Sequence, residues 1–232
     1  MRHDRGSSRF DALIFDAGGI LVLPDPTVLG PLLAPHGGDP SIDAHIRAHY
    51  RGMAVKSWAG SGEAFWDEYN MAYCESLGIP ADELAYAAEV LDLTRNAHTW
   101  RWPIPESITA LHALAAAGVP MGVVSNASGQ IEDVLRRAGV CQLGDGALTA
   151  MRVIVDSHVV GVAKPDPRIF EFALPSFAEF DPARIAFVGD SVTMDVGGAM
   201  AAGLLPILLD PFDDHAEADF LRIRSLSDLL TL

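Results

Sequence analysis

Short, continuously apolar runs recur along the chain, at Ala12 to Phe15, Met121 to Val124, Val153 to Val155, Ile185 to Val188 and Ile207 to Leu209, each ending at a small or acidic residue. Unbroken hydrophobicity over so few positions, rather than strict alternation, predicts strands buried on both faces. Between them the apolar positions recur at helical spacing over Pro105 to Ala117, Gln130 to Ala138, Pro167 to Leu174 and Thr193 to Ala202. Gly118, Gly139 and Gly203 stand where three of these helices should stop. Ser225 to Leu230 predicts a short closing helix. Strands alternating with helices imply an α/β fold, a parallel sheet covered on both faces.

The stretch from Asp25 to Trp102 breaks that alternation. Its apolar residues repeat at helical spacing, as at Phe65, Tyr69 and Tyr73 or Leu84, Ala88 and Leu91, and no strand-like run is evident. The pattern predicts a helical subdomain inserted after the first strand. The expected division is a core of residues 10–24 and 103–232 with an insertion of residues 25–102, which a chain of 232 residues accommodates.

Composition narrows the function classes. Half the residues are hydrophobic and a fifth are charged, which excludes disorder over most of the chain. Acidic residues outnumber basic ones 31 to 16, giving a net charge of −15 that repels a phosphate backbone and argues against nucleic acid as a partner. Cys74 and Cys141 lie far apart without metal-ligand spacing, so both read as reduced core thiols. The N-terminal stretch Met1 to Phe10 carries Arg2, Arg5 and Arg9 but no apolar segment of the secretory kind. The longest apolar stretches, Leu114 to Val124 and Leu204 to Leu209, are broken by Gly or Pro and fall short of the roughly 20 residues a membrane helix needs. A soluble, cytoplasmic protein without a membrane partner is expected.

Candidate chemistry gathers where strands end. The first strand runs into FDAGGIL, which sets Asp16 at the carboxyl edge just before Gly18 and Gly19. VVSNAS delivers Ser125 and Asn126 at the end of the second, and the run from Ile185 ends in GDS, delivering Asp190 with Asp195 five positions later. Open parallel sheets bind ligands at that edge. Only two lysines occur, Lys56 and Lys164, and the second precedes a helix in AKPDPRIF, where an ammonium can hold a phosphate as a point charge. Singly, each has an ordinary structural reading: an Asp or Ser after a strand caps the next helix, two glycines make a turn, and a loop lysine is solvated. Four such elements in order on successive strand ends argue for a site.

This ordered set resembles the haloacid dehalogenase superfamily, whose members carry an aspartate nucleophile, a Ser or Thr, a Lys and then a paired-acid motif. Asp16, Ser125, Lys164, and Asp190 with Asp195 match in turn, and GDSVTMDVGGAMAAGL from Gly189 to Leu204 resembles the fourth motif almost throughout. The resemblance spans roughly Asp11 to Leu209, with the helical insertion where one subfamily places a helical cap. It implies a Rossmann-like core, a site between core and cap, and a small phosphorylated substrate for a monomer or homodimer. By the same resemblance Asp16 is the nucleophile. Mg²⁺ is held by Asp16, the Gly18 carbonyl, Asp190 and, directly or through water, Asp195, while Ser125, the Asn126 amide and Lys164 hold the phosphoryl oxygens.

One departure matters. Phosphatases of the family carry a second aspartate two positions after the nucleophile, as general acid and then base, and here that position is Gly18. General acid–base catalysis contributes typically 10²–10⁴-fold, so its loss favours substrates with good leaving groups, such as sugar-1-phosphates or acyl phosphates. The 2-haloacid dehalogenases of the superfamily lack the same aspartate, which makes dehalogenation the alternative, although they work without metal and lack the acid matched by Asp190. A catalytically silent phosphate-binding protein is a third reading. In the insertion, His45 and His49 share a helix face that could offer a ligand or a proton carrier to make up for Gly18, but that reads first as a solvated polar face. Trp58, Trp66, Trp100 and Trp102 with Tyr69 read as packing, and Arg47, Arg51, Arg95 and Arg101 as surface groups.

Overall fold

The computed structural model describes residues 9–62, 64–96 and 98–232, so the arginine-bearing N-terminal stretch up to residue 8 lies outside the described residues. The strands are β1 (Ala12–Phe15), β2 (Val22–Pro24), β3 (Trp100–Pro103), β4 (Met121–Ser125), β5 (Cys141–Leu143), β6 (Thr149–Met151), β7 (Ile154–Asp156), β8 (Ile185–Gly189), β9 (Leu205–Leu209) and β10 (Leu221–Ile223). The helices are α1 (Pro26–Leu33), α2 (Ile42–Trp58), α3 (Asp67–Ser76), α4 (Leu84–Thr94), α5 (Pro105–Ala116), α6 (Ile131–Arg137), α7 (Ser157–Val160) and α8 (Gly197–Ala201). Six strands form one sheet in the order β10-β9-β8-β1-β4-β7, every adjacent pair parallel.

Register explains where the chemistry falls. Phe15 of β1 lies between Val123 of β4 and Val188 of β8, so Asp16 and Asp190 just past β1 and β8, and Ser125 at the end of β4, all lie at the same sheet edge. Successive side chains in β1 alternate faces: Leu13 and Phe15 pack with Leu111 and Leu114 of α5 and Leu135 of α6, while Ala12 and Ile14 pack with Phe170, Phe177 and Ala199 on the other face. Both faces are therefore dry, which is why these strands read as apolar runs. A third cluster, with Leu33, Met53, Tyr69, Tyr73 and Leu91, lies within α1 to α4. Cys74 and Cys141 are buried and unpaired, and burial pushes both thiols up to about 12.

Several elements differ from the sequence reading. β3 is a strand at the end of the stretch expected to hold none; it pairs antiparallel with β2, and this ribbon crosses the expected 102/103 boundary. The segment expected as a helix over Pro167 to Leu174 is a pair of 3₁₀ turns, Pro167–Phe172 and Leu174–Phe177, because Pro175 disfavours α geometry at Leu174. Residues 193–202 begin as a π turn, Val192–Val196, before α8 takes over; the Val196 N–H reaches back five residues to the Ser191 carbonyl at 3.1 Å. The closing helix is 3₁₀, Leu226–Thr231, started by a capping box at Ser225. Among the described residues no helix is long and apolar enough to cross a membrane.

Candidate active site

Asp16 leaves β1 with its backbone N–H still bonded to the Val188 carbonyl at 2.8 Å, so its Cα is fixed by the sheet. Across the edge, Asp190 follows β8 directly, and the π turn brings Asp195 back beneath it. Asp195 Oδ2 accepts from the backbone N–H groups of Asp190 (3.1 Å) and Ser191 (3.0 Å), while its Oδ1 accepts from Lys164 Nζ at 2.6 Å. Gly189 allows this tuck, since a Cβ there would lie 2.2 Å from the Asp195 Cγ. Lys164 Nζ also stands 2.9 Å from Asp16 Oδ1 and 5.1 Å from the centre of the Phe187 ring. Asn126 holds that lysine's loop: its Oδ1 accepts from Lys164 N at 2.8 Å and its Nδ2 donates to Lys164 O at 3.0 Å. The Asn126 side chain thus grips the lysine backbone, leaving the phosphate role expected of Asn126 to its main chain.

Asp16, Asp190 and Asp195 each present a carboxylate oxygen within 4.8 Å of the others. Three acids face one ammonium, and the electrostatics record the imbalance. Burial raises the Asp16 carboxyl from 3.8 to about 7, with Lys164 opposing and the charges of Asp195 and Asp190 adding to the rise. Burial also raises Asp190, against the lowering effect of a hydrogen bond from His49. Lys164 is driven up by Asp16 and Asp195 despite its own burial. A buried, oxygen-only, electron-rich cluster of this kind fits a hard divalent cation such as Mg²⁺. These residues line a cavity of about 340 Å³ together with Ser125, Trp66, Trp100 and Arg95.

The two glycines after Asp16 differ. Gly19 has φ +69°, and a Cβ there would meet Asp190 Oδ2 at 1.8 Å. Gly18 has no left-handed φ, but a Cβ on it would meet Trp100 Cζ3 at 3.0 Å. The indole of β3 therefore stands over the position where a proton-carrying side chain would project.

The histidines are where sequence reasoning failed. His45 and His49 are buried rather than solvated. Both point into the α2–α3 contact: His45 Nδ1 is 2.6 Å from the Tyr73 hydroxyl and His49 Nδ1 is 3.0 Å from that of Tyr69. His49 goes further, placing Nε2 2.9 Å from Asp190 Oδ2. The matching four-residue spacing of two histidines and two tyrosines was the available signal. The arginines divide. Arg47 and Arg51 bind Asp214 and Arg101 binds Asp25, whereas Arg95, bonded to Asp92, lies over the Trp66 ring and lines the cavity. Lys56 is buried, donating to the carbonyls of Gly62 (2.7 Å) and Phe65 (2.6 Å). Of the tryptophans, Trp58 is exposed and Trp66 and Trp100 line the cavity.

Residues 10–203 match the family model of haloacid dehalogenase-like hydrolases. The chain belongs to that family. It is 36% identical over 116 residues to haloacid dehalogenase-like hydrolase domain-containing protein 3 of Bos taurus, covering 48% of this chain and 43% of that one. It is 29% identical over 181 residues to a phosphoserine phosphatase of Thermus thermophilus, covering 76% and 67% of the two chains. A solved 2-haloacid dehalogenase from Pseudomonas syringae superposes with a TM-score of 0.54 at 24% identity, covering 96% and 98%, a likeness of fold. The chain spans under half the length of the bovine relative it matches.

Proposed function

We propose that this hydrolase is a Mg²⁺-dependent phosphomonoesterase acting on a small phosphorylated metabolite whose leaving group needs little protonation. The observation that supports it is the cluster of three carboxylates, Asp190 and Asp195 buried and Asp16 partly so, in which Lys164 pairs with Asp16 and Asp195 and leaves Asp190 without a lysine partner. A hydrolase that displaced halide from a neutral carbon would have no use for so much uncompensated negative charge beside its nucleophile. Asp16, the Gly18 carbonyl and Asp190 would hold Mg²⁺. Asp195, whose oxygens already accept three hydrogen bonds, would act through water. When bound, the ion would return Asp16 to its ionised form and draw charge from the phosphoryl oxygens.

Asp16 would attack phosphorus in line, forming an aspartyl phosphate as the bond to the leaving oxygen breaks and that oxygen departs as an anion. Ser125, the Asn126 backbone N–H and the Lys164 ammonium would hold the transferring group. Water then attacks phosphorus, releases inorganic phosphate and a proton, and restores the Asp16 carboxylate. With Trp100 over Gly18, no side chain at that position protonates the leaving oxygen, so sugar-1-phosphates, acyl phosphates and aryl phosphates suit the site. The cavity wall formed by α2 and β3 supports reading residues 25–102 as a cap over the core. Two buried unpaired thiols fit a cytoplasmic setting, for monomer or homodimer.

Gly18 favours a second reading, dehalogenation, because halide leaves without a proton. Hydrolysis of p-nitrophenyl phosphate with Mg²⁺, abolished by EDTA, is the expected result. Chloride release from 2-chloropropionate that survives EDTA, with no phosphatase activity, would replace the first reading by the second.

A further inference from the structure

We propose that His49 is a positioning residue for the cation site, holding Asp190 from helix α2 so that the placement of that helix and the affinity for Mg²⁺ are linked. The inference rests on the reading of Asp190 as a metal ligand. His49 is 1% exposed, and both ring nitrogens have partners. An ionised Asp190 only accepts, so Nε2 carries a hydrogen and donates to it, while Nδ1 is bonded to the Tyr69 hydroxyl, a group that can give or take a hydrogen. The hydrogen bonds link Tyr69, His49 and Asp190 in one chain. One oxygen of Asp190 is thereby fixed, and the other is left to a cation.

The backbone makes room at both ends of this relay. At Gly19 a Cβ would lie 1.8 Å from Asp190 Oδ2 and 2.8 Å from His49 Nε2, and at Gly52 it would lie 2.6 Å from the Tyr69 ring. Ring edges confine the imidazole, with Tyr50 at 5.1 Å and Trp100 at 5.5 Å between centroids. His45 is the internal control. It makes the same tyrosine bond one turn earlier, yet its Nε2 has no hydrogen-bond partner, so packing α2 on α3 does not by itself call for a polar contact there. Carboxylates that ligate metals depend on such outer partners, whose loss typically weakens metal affinity 10–100-fold. Here the partner comes from a different part of the fold, so cation binding and docking of α2 favour one another reciprocally.

Isothermal titration of the metal-free full chain with Mg²⁺ tests this without reference to turnover. His49→Leu and the double variant His49→Leu/Tyr69→Phe, which leaves no orphaned hydroxyl, should raise Kd by about 10–100-fold. His49→Gln, whose amide can donate to Asp190 and accept from Tyr69, should stay within roughly threefold of wild type. A double variant with native near-UV circular dichroism that binds Mg²⁺ as well as wild type, or more tightly, overturns the proposal. Should the leucine variants not fold, His49→Asn, too short to reach both partners, replaces them, and a Kd equal to that of His49→Gln overturns it equally. Wild type that takes up no Mg²⁺ removes the metal-dependent reading along with the proposal, whereas wild type that binds while the variants bind equally removes the proposal alone.

Discussion

Asp16→Asn should stabilise the metal-free protein, and the amount should depend on pH. Asp16 titrates near 3.8 when unfolded and at about 7 in the folded chain, so between those values the folded state binds more protons than the unfolded one. Stability contributed by this group is therefore present below pH 3.8 and is lost as pH rises through 7. The displacement is a little over three pH units, and at 1.36 kcal/mol per unit it amounts to roughly 4 kcal/mol at pH 8. Asparagine resembles the protonated carboxyl in shape and charge and escapes this cost. For a chain of this size 1 kcal/mol moves Tm by about 2–4 °C, so the variant should melt on the order of 10 °C above wild type at pH 8 in EDTA. At pH 5 the advantage should shrink to roughly a third.

Mg²⁺ at a hundredfold excess over Kd should narrow the gap at pH 8 and reverse the ranking only at pH 5, because wild type gains RT ln(1 + [Mg²⁺]/Kd), about 2.7 kcal/mol, which is less than the pH 8 advantage and more than the pH 5 one, while the variant would lack a charged ligand. Differential scanning fluorimetry at pH 5 and pH 8, with EDTA and with Mg²⁺, gives all four comparisons. A variant that melts at or below wild type at pH 8 in EDTA would refute the argument. So would an equal advantage at both pH values, since then the gain would not come from the charge of Asp16.

Gly19→Ala should lower stability by at least about 2 kcal/mol, because its φ of +69° alone costs roughly 1–2 kcal/mol with a Cβ and Asp190 must also move. Thermal melts and Mg²⁺ titration should both register it, and an unchanged Tm would mean the turn is not crowded. Gly18→Asp alone should fail to speed hydrolysis of primary alkyl phosphates, since its Cβ meets Trp100 at 3.0 Å; combined with Trp100→Ala it should do so by tenfold or more, on the order expected of a general acid. Equal alkyl-phosphate rates for the single and double variants would count against the steric account. Asp214→Asn should cost about 1 kcal/mol in urea melts at pH 7, where the partly buried carboxylate binds Arg47 and Arg51 of α2. Those arginines hold the Asp214 carboxyl below its ordinary range, so the difference should persist above pH 4 and fade as pH drops through that lowered value.

The core strands were legible because both faces of the sheet are buried, and burial on two sides leaves an apolar run that needs no partner to be recognised. The positions of Asp16, Ser125 and Asp190 were legible because each ends or follows such a run and the sheet register carries them to one edge, to which Lys164 and Asp195 are tied by their own contacts. What the sequence withheld was set by contacts between distant segments. β3 is a strand only because β2 pairs with it, and its burial pattern is too mixed to show a run. His49 looks like one of two solvated histidines until α3 supplies Tyr69 and β8 supplies Asp190. The π turn at Val192–Val196 keeps a helical periodicity in sequence while shifting Asp195 under the Asp190 backbone.

The Gly18–Gly19 turn is approached from two sides by elements that the chain places after it. Trp100 closes over Gly18, on the side where a proton would be delivered to the leaving group, and His49 closes over Gly19, on the side where Asp190 would meet a cation. The first contact crowds any side chain at position 18, and on the proposed reading the second would support a metal ligand. On the proposed phosphatase reading, the two contacts would leave the reaction to electrostatic stabilisation of the transferring group rather than to proton transfer, and would suit substrates whose leaving oxygen is already stable as an anion.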